Sequence, residues 1–221
     1  MKRENMRSLL TFLFHTLMDV ETVGLENVPA QGGLVFTGNH LSRLDTPLMF
    51  VESPRKDITG LVTDKYKRMW FFKWIMNSIE VIWIDRTKAD FGAFRAAIDA
   101  LNRGVTIGIA PEGTRSTTHA LMEAKPGAVL IALKANVPLL PIALIGTDTA
   151  MHKLTHFQRA KIQVRFGKPY RLPELDRDHR EESMQHLTDE MMCQIAALLP
   201  ESYRGVYADC PRLKELLQEQ G

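Results

Sequence analysis

The chain has 221 residues, of which 45% are hydrophobic and 24% charged. This mix excludes a disordered chain, and the length suits one large domain or two small ones. With 28 Lys and Arg against 26 Asp and Glu, the formal charge is +2, too balanced for a broad nucleic-acid-binding face.

A chain of this size buries about 70% of its unfolded surface and needs no disulfide staples. Cys193 and Cys210 have no CxxC spacing and read as unpaired thiols in a reducing compartment. Mean hydropathy is −0.14. No stretch reaches the ~18–20 apolar residues of a membrane span. The longest candidate, residues 129–145, is broken by Lys134, Asn136, Pro138 and Pro141.

Lys2, Arg3 and Arg7 precede an apolar patch over residues 9–18. The pattern imitates a signal peptide, but His15 and Asp19 interrupt or close it and no small-residue cleavage site follows. It reads as a retained amphipathic helix with Met6, Leu9, Leu10, Leu13, Phe14 and Leu17 near one face. Strands are expected over 34–37, 58–62, 81–84, 105–110, 139–145 and 161–166. Helices are expected over 44–51, 127–135, 179–198 and 212–218. A further helix opens at a capping box, Thr87 to Asp90, with Phe91, Phe94, Ile98 and Leu101 as its core face and Gly104 as its stop.

Strands separated by helices predict an α/β fold: a central, mostly parallel or mixed sheet flanked by helices, with an N-terminal amphipathic helix. The expected division is that helix over 1–19, the main domain over 20–200, and a C-terminal extension with a short helix over 201–221. Sites in such sheets gather at the carboxyl ends of strands. Polar clusters stand at three expected ends: Asn39-His40, Asp85-Arg86, and Pro111 to Arg115.

His40 and Asp45 are five residues apart, about 140° around a regular helix. They meet only if His40 lies in the loop and Asp45 in the first turn of the following helix. A carboxylate on one imidazole nitrogen then fixes the tautomer and leaves the other nitrogen free to take a proton. No Ser or Cys nucleophile accompanies the pair, so direct activation of a substrate hydroxyl is its natural use. An isolated HxxxxD also fits a helix cap with a dipole-placed aspartate. Gly113 permits a tight turn, and exposed N–H groups there with Arg115 suit an anion. A surface turn with a local Glu112–Arg115 pair is the plainer reading of that segment. Arg86 alone is a solvated strand-end arginine. Lys65, at the second strand's end, is a weaker signal still.

Together these segments resemble the 1-acylglycerol-phosphate acyltransferases (lysophosphatidic acid acyltransferases) and their glycerolipid relatives. Asn39-His40-Leu41-Ser42-Arg43-Leu44-Asp45 fits the NHxSxxD motif, Ile84-Asp85-Arg86 a second motif, and Ala110-Pro111-Glu112-Gly113-Thr114-Arg115-Ser116 the FPEGTRS motif without its leading aromatic. Val137 to Ile142 matches a fourth, proline-containing strand. The resemblance covers roughly residues 20–170. It implies acyl transfer from acyl-CoA or acyl carrier protein to a hydroxyl of lysophosphatidic acid, giving phosphatidic acid. His40 would be the general base and Asp45 its orienting partner. Arg86, Glu112, Gly113, Thr114 and Arg115 would bind the acceptor. No metal and no tightly bound cofactor are implied. A different lysolipid acceptor, an acyl-thioesterase and a non-catalytic lipid-binding relative are the competing readings.

All three tryptophans, Trp70, Trp74 and Trp83, fall in one short stretch with Phe71, Phe72, Lys67, Arg68 and Lys73. Aromatic residues beside basic ones suit a lipid interface, and equally a core-packed helix with solvated lysines. A long-chain lysolipid resides in the bilayer, so an enzyme acting on it must reach that surface. Peripheral attachment at the cytoplasmic face of a membrane is therefore expected, with residues 9–18 and 69–76 as contacts. The other histidines show no metal-ligand spacing.

Overall fold

The computed structural model describes residues 2–219. A first helix, α1 (Arg3–Leu17), runs directly into β1 (Met18–Val23). Then follow β2 (Leu34–Gly38), α2 (Asp45–Glu52), β3 (Ile58–Thr63), α3 (Trp70–Ser78), β4 (Ile82–Ile84), α4 (Phe91–Asn102) and β5 (Thr106–Ile109). The chain continues through α5 (Gly127–Ala135), β6 (Leu139–Ile145), α6 (Thr147–Thr155), β7 (Ala160–Phe166), α7 (Arg180–Leu198) and α8 (Pro211–Glu219).

The strands form one sheet in the order β1-β7-β6-β2-β5-β3-β4. From β6 to β4 every pairing is parallel. The edge strand β1 pairs parallel with β7, which runs antiparallel to β6. The sheet is therefore mixed. The central strands β2 and β5 are buried along their whole length. That is why they read as apolar runs: both faces are covered. One face packs on α1, α2, α3 and α6, through Met6, Leu48, Met76 and Ala150. The other packs on α4, α5, α7 and α8, through Ala97, Ile131, Met191 and Leu213. Residues alternate between the two cores along β6: Leu140, Ile142 and Leu144 point one way, Leu139 and Ala143 the other.

Several expectations are corrected here. β1 is a strand that the apolar pattern hides. It is an edge strand with alternate residues exposed, and it follows the helix without a break. α6 is also unexpected, because it buries only Thr147 and Ala150. The cap of α4 is Asp90, whose carboxylate accepts from the Ala93 N–H, and not Thr87. Its core face is Ala93, Ala97, Ala100 and Leu101, while Phe91 is 80% exposed. Small side chains suit a helix packed against both β5 and α5. α1 is apolar on two sides: Met6, Leu10 and Phe14 are buried, whereas Leu9, Phe12, Leu13 and Leu17 are exposed. Finally, Cys193 and Cys210 are joined in a disulfide that ties α7 to the start of α8. Helix packing brings two sequence-separated thiols together, which spacing alone does not reveal.

Candidate active site

Because β6, β2, β5, β3 and β4 all run the same way, their carboxyl ends share one edge of the sheet. Asn39 and His40 leave β2, residues 110–116 leave β5, and Asp85-Arg86 leave β4. β2 and β5 are neighbours, so the first and third motifs lie side by side. They are also stitched together. The Ser116 N–H donates to the His40 carbonyl at 2.8 Å. The His40 N–H donates to Glu112 Oε1 at 2.9 Å. The Asn39 side chain donates to the Leu144 carbonyl and accepts its N–H, both at 2.8 Å, which fixes the loop against β6.

His40 lies in the loop and Asp45 is the first residue of α2. His40 Nδ1 contacts Asp45 Oδ2 at 2.8 Å, and the Leu41 and Ser42 N–H groups donate to the same oxygen at 2.7 Å. Asp45 is buried, at 1% exposure, while the His40 side chain is 17% exposed. One carboxylate thus fixes the loop backbone before α2 and holds the imidazole. Of the two readings of the pair, the orienting geometry is the one present: the N-cap of α2, Leu44, makes no side-chain cap bond, and the N–H groups that Asp45 accepts from precede the helix.

His40 opens onto a cavity of about 530 Å³. Thr114, Arg115, Gly113 and Arg86 line it, and Arg86 Nη1 donates to the Gly113 carbonyl. Gly113 has φ of 72°, and a Cβ there would lie 3.4 Å from the Lys125 side chain. The left-handed backbone favours glycine here, while the space would admit a Cβ in ordinary contact with Lys125. Partial loss of water lowers the Arg86 pKa from its ordinary value, and an arginine so shifted still carries its charge.

Glu112 is placed differently from the expectation of an acceptor-binding carboxylate. It is 3% exposed and is not among the residues lining this cavity. Its second oxygen accepts the Met122 N–H at 3.0 Å. Both oxygens are therefore occupied by backbone. Burial raises the Glu112 pKa, against the opposing pull of the His40 and Met122 N–H groups.

Three further cations reach the cavity: Arg43, Lys65 and Lys125. No Asp or Glu is among the described residues that line it. Arg43 occupies a variable position of the first motif and draws no attention there. Lys125 follows no strand in sequence. Its N–H bonds the Pro111 carbonyl at 2.9 Å, which brings the start of α5 beside the third motif. A lysine before Pro126-Gly127 at a helix start is the only local signal it leaves.

The tryptophan cluster divides. Met76 and Ile79 are buried and Trp83 packs against the core. Trp70, at 81% exposure, Met69 and Trp74 face outward. Met69 and Phe72 also line the cavity, so its wall and the outward aromatic face belong to one segment. The side chain of Phe71 lies outside the described residues. Among the described residues, no helix is long and apolar enough to cross a membrane. Nor does any group of three or more His, Cys, Asp or Glu form a metal site among them. His152 and His156 instead stack on each other along α6.

An α/β sandwich with an Asp-held histidine at its carboxyl edge defines a class. The Acyltransferase family model matches residues 19–145, more than half of the chain, and the chain belongs to this family. The match contains His40, Asp45, Arg86 and residues 110–116. A probable 1-acyl-sn-glycerol-3-phosphate acyltransferase of Mycoplasma pneumoniae is 30% identical over 178 residues, covering 74% of this chain and 66% of that protein. The 1-acyl-sn-glycerol-3-phosphate acyltransferase of Borreliella burgdorferi is 30% identical over 127 residues, covering 57% and 50%. The chain thus spans between half and two thirds of the length of these relatives. The crystal structure of the 1-acyl-sn-glycerophosphate acyltransferase PlsC from Thermotoga maritima has the same fold, with a TM-score of 0.65 at 24% identity. That match covers 85% of this chain and 75% of that one.

Proposed function

We propose that the protein transfers a fatty acyl group from an acyl thioester, acyl-CoA or acyl carrier protein, to the free hydroxyl of lysophosphatidic acid, giving phosphatidic acid. The observation that carries this reading is the 2.8 Å His40–Asp45 contact on the wall of a cavity lined by cations. His40 Nε2 takes the hydroxyl proton, and Asp45 keeps Nδ1 protonated and stabilises the imidazolium. The alkoxide oxygen attacks the thioester carbonyl carbon. The carbon–sulfur bond then breaks, and the thiolate leaves with the proton from His40. Arg86, Arg115 and the backbone at Thr114 hold the acceptor's phosphate, since guanidinium groups and backbone N–H groups suit phosphate oxygens. Gly113 shapes the turn, its own N–H being taken by the Ala110 carbonyl at 3.1 Å. Glu112 acts as a positioning residue through the His40 backbone.

The test is release of free thiol from acyl-CoA and from acyl carrier protein, each with and without lysophosphatidic acid. Release that depends on the acceptor is the expected result, and His40→Ala lowers it by about 10³-fold. Release without acceptor would make the protein a hydrolase, and none with either donor would make it a binding module.

The enzyme works as a peripheral protein at a membrane surface. Support comes from exposed Leu9, Phe12 and Leu13 on α1 and from Met69, Trp70 and Trp74 beside the cavity. Flotation with anionic liposomes measures this. A Trp70→Ala, Trp74→Ala variant is expected to bind about tenfold more weakly. A wild-type protein that stays at the bottom of the gradient removes the membrane reading.

A further inference from the structure

A second cavity, of about 640 Å³, adjoins the first. The hydrogen-bonded pair Arg86–Gly113 belongs to both walls, as do Leu61 and Lys125, but His40 lines only the first. Beyond that junction the wall is mainly apolar, with Phe94 from α4, Ala110 at the end of β5, and Leu130 and Ile131 from α5. Phe91 stands exposed at its rim. These α4 aromatics have the helical spacing of a core face, yet the core is built from the alanines behind them. The carboxylates on this wall are engaged locally: Asp85 bonds Thr87 and pairs with Lys88, and Asp90 caps α4.

We propose that this groove holds the hydrocarbon chain that the acceptor already carries, and that Ala110 sets how much of that chain is accepted. The proposal rests on the phosphate-bearing acceptor of the reading above. The order of polar and apolar groups along the two cavities matches such a molecule. A lysophospholipid is an anion joined to one apolar tail. The junction supplies two cations, Arg86 and Lys125, and the groove continues from them as an apolar trough. The donor's carbonyl must lie at His40, so the donor's chain starts in the first cavity. The acceptor's chain starts beside its phosphate, at the junction. A larger side chain at Ala110 would project into the trough.

The full chain is assayed with lysophosphatidic acids bearing hexanoyl and palmitoyl chains. Each buried methylene is worth about fourfold in affinity, so wild type is expected to show a markedly lower KM for the palmitoyl acceptor. Ala110→Phe is expected to raise that KM about tenfold, to leave the hexanoyl KM within about twofold, and to leave the donor chain-length profile unchanged. Leu130→Trp, on the α5 part of the wall, is expected to do the same, and thermal unfolding identifies which variants keep the wild-type fold. A folded variant in which neither acceptor KM moves overturns the proposal, as does a shifted donor profile with an unshifted acceptor profile. If wild type acylates no lysophosphatidic acid, the reaction assignment fails. If it does, and the chain-length preference survives both substitutions, only the groove assignment fails.

Discussion

Arginines gather at both edges of this sheet, and the two edges use them differently. At the amino edge, Arg55 is buried. It donates to the carbonyls of Pro29, Gly32 and Gly104 at 2.7–3.0 Å and to Asp57 Oδ1 at 2.7 Å. Those residues precede β2, β5 and β3, so one guanidinium ties three strand entrances together. Arg7 does similar work from α1, donating to the carbonyls of Val51 and Ser53 at the end of α2. At the carboxyl edge, Arg43, Arg86, Arg115, Lys65 and Lys125 line a cavity with no carboxylate among its described lining residues. A guanidinium whose donors are all taken by its own chain holds structure. Cations gathered around open volume without a counter-charge leave an anion to be supplied from outside.

Substitutions at the two edges should therefore separate stability from activity. The largest effect on stability is expected at the amino edge. Arg55→Met strands three carbonyls and is expected to cost roughly 3 kcal/mol, read by denaturant unfolding, with the folded fraction keeping its KM. Arg115→Met is the converse. It is expected to raise the KM for lysophosphatidic acid about tenfold or more, as loss of a charge-assisted contact does, with little change in unfolding midpoint. An Arg55 variant that loses substrate affinity, or an Arg115 variant that unfolds, would break the contrast.

The smallest expected effect is in pH dependence, where the edges have opposite signs. The Arg55 hydrogen bonds hold the Asp57 carboxyl below the usual 3.8. The unfolded chain then binds more protons, so this stabilisation is present above that value and is lost as pH falls below it. Burial raises Glu112 above the usual 4.5. There the native chain binds more protons, so the stability that Glu112 contributes declines as pH rises through the window above 4.5. The difference in unfolding free energy between wild type and Glu112→Gln should shrink across that window. A difference that grows with pH would mean that the backbone donors outweigh burial.

Much of the fold was legible because its signals are local. The buried strands announce themselves as apolar runs, and Gly104, at φ of 88°, ends α4 where the sequence places a stop. The segments that escaped are those whose pattern is incomplete. β1 has only one shielded face, and α6 buries two small side chains. The aromatic face of α4 misled, because a helix that packs closely on a sheet buries its smallest residues. The division of α1 into an inner and an outer apolar face cannot be read from periodicity when both faces are apolar.

The same distinction holds at the site. By itself the sequence determined the His40–Asp45 pair, since five residues across a loop and one helical turn leave few ways for them to meet. It also determined that polar clusters would stand at strand ends, because apolar runs stop where they stop. Only the tertiary structure decided that Glu112, 72 residues from His40, spends its carboxylate on the His40 backbone. Only it decided that Lys125 and Arg43 join Arg86 and Arg115 around one cavity. Those relations follow from strand order. Placing β5 beside β2 brings remote loops into hydrogen-bonding range, and neighbouring strands are chosen by the packing of whole faces rather than by any one segment.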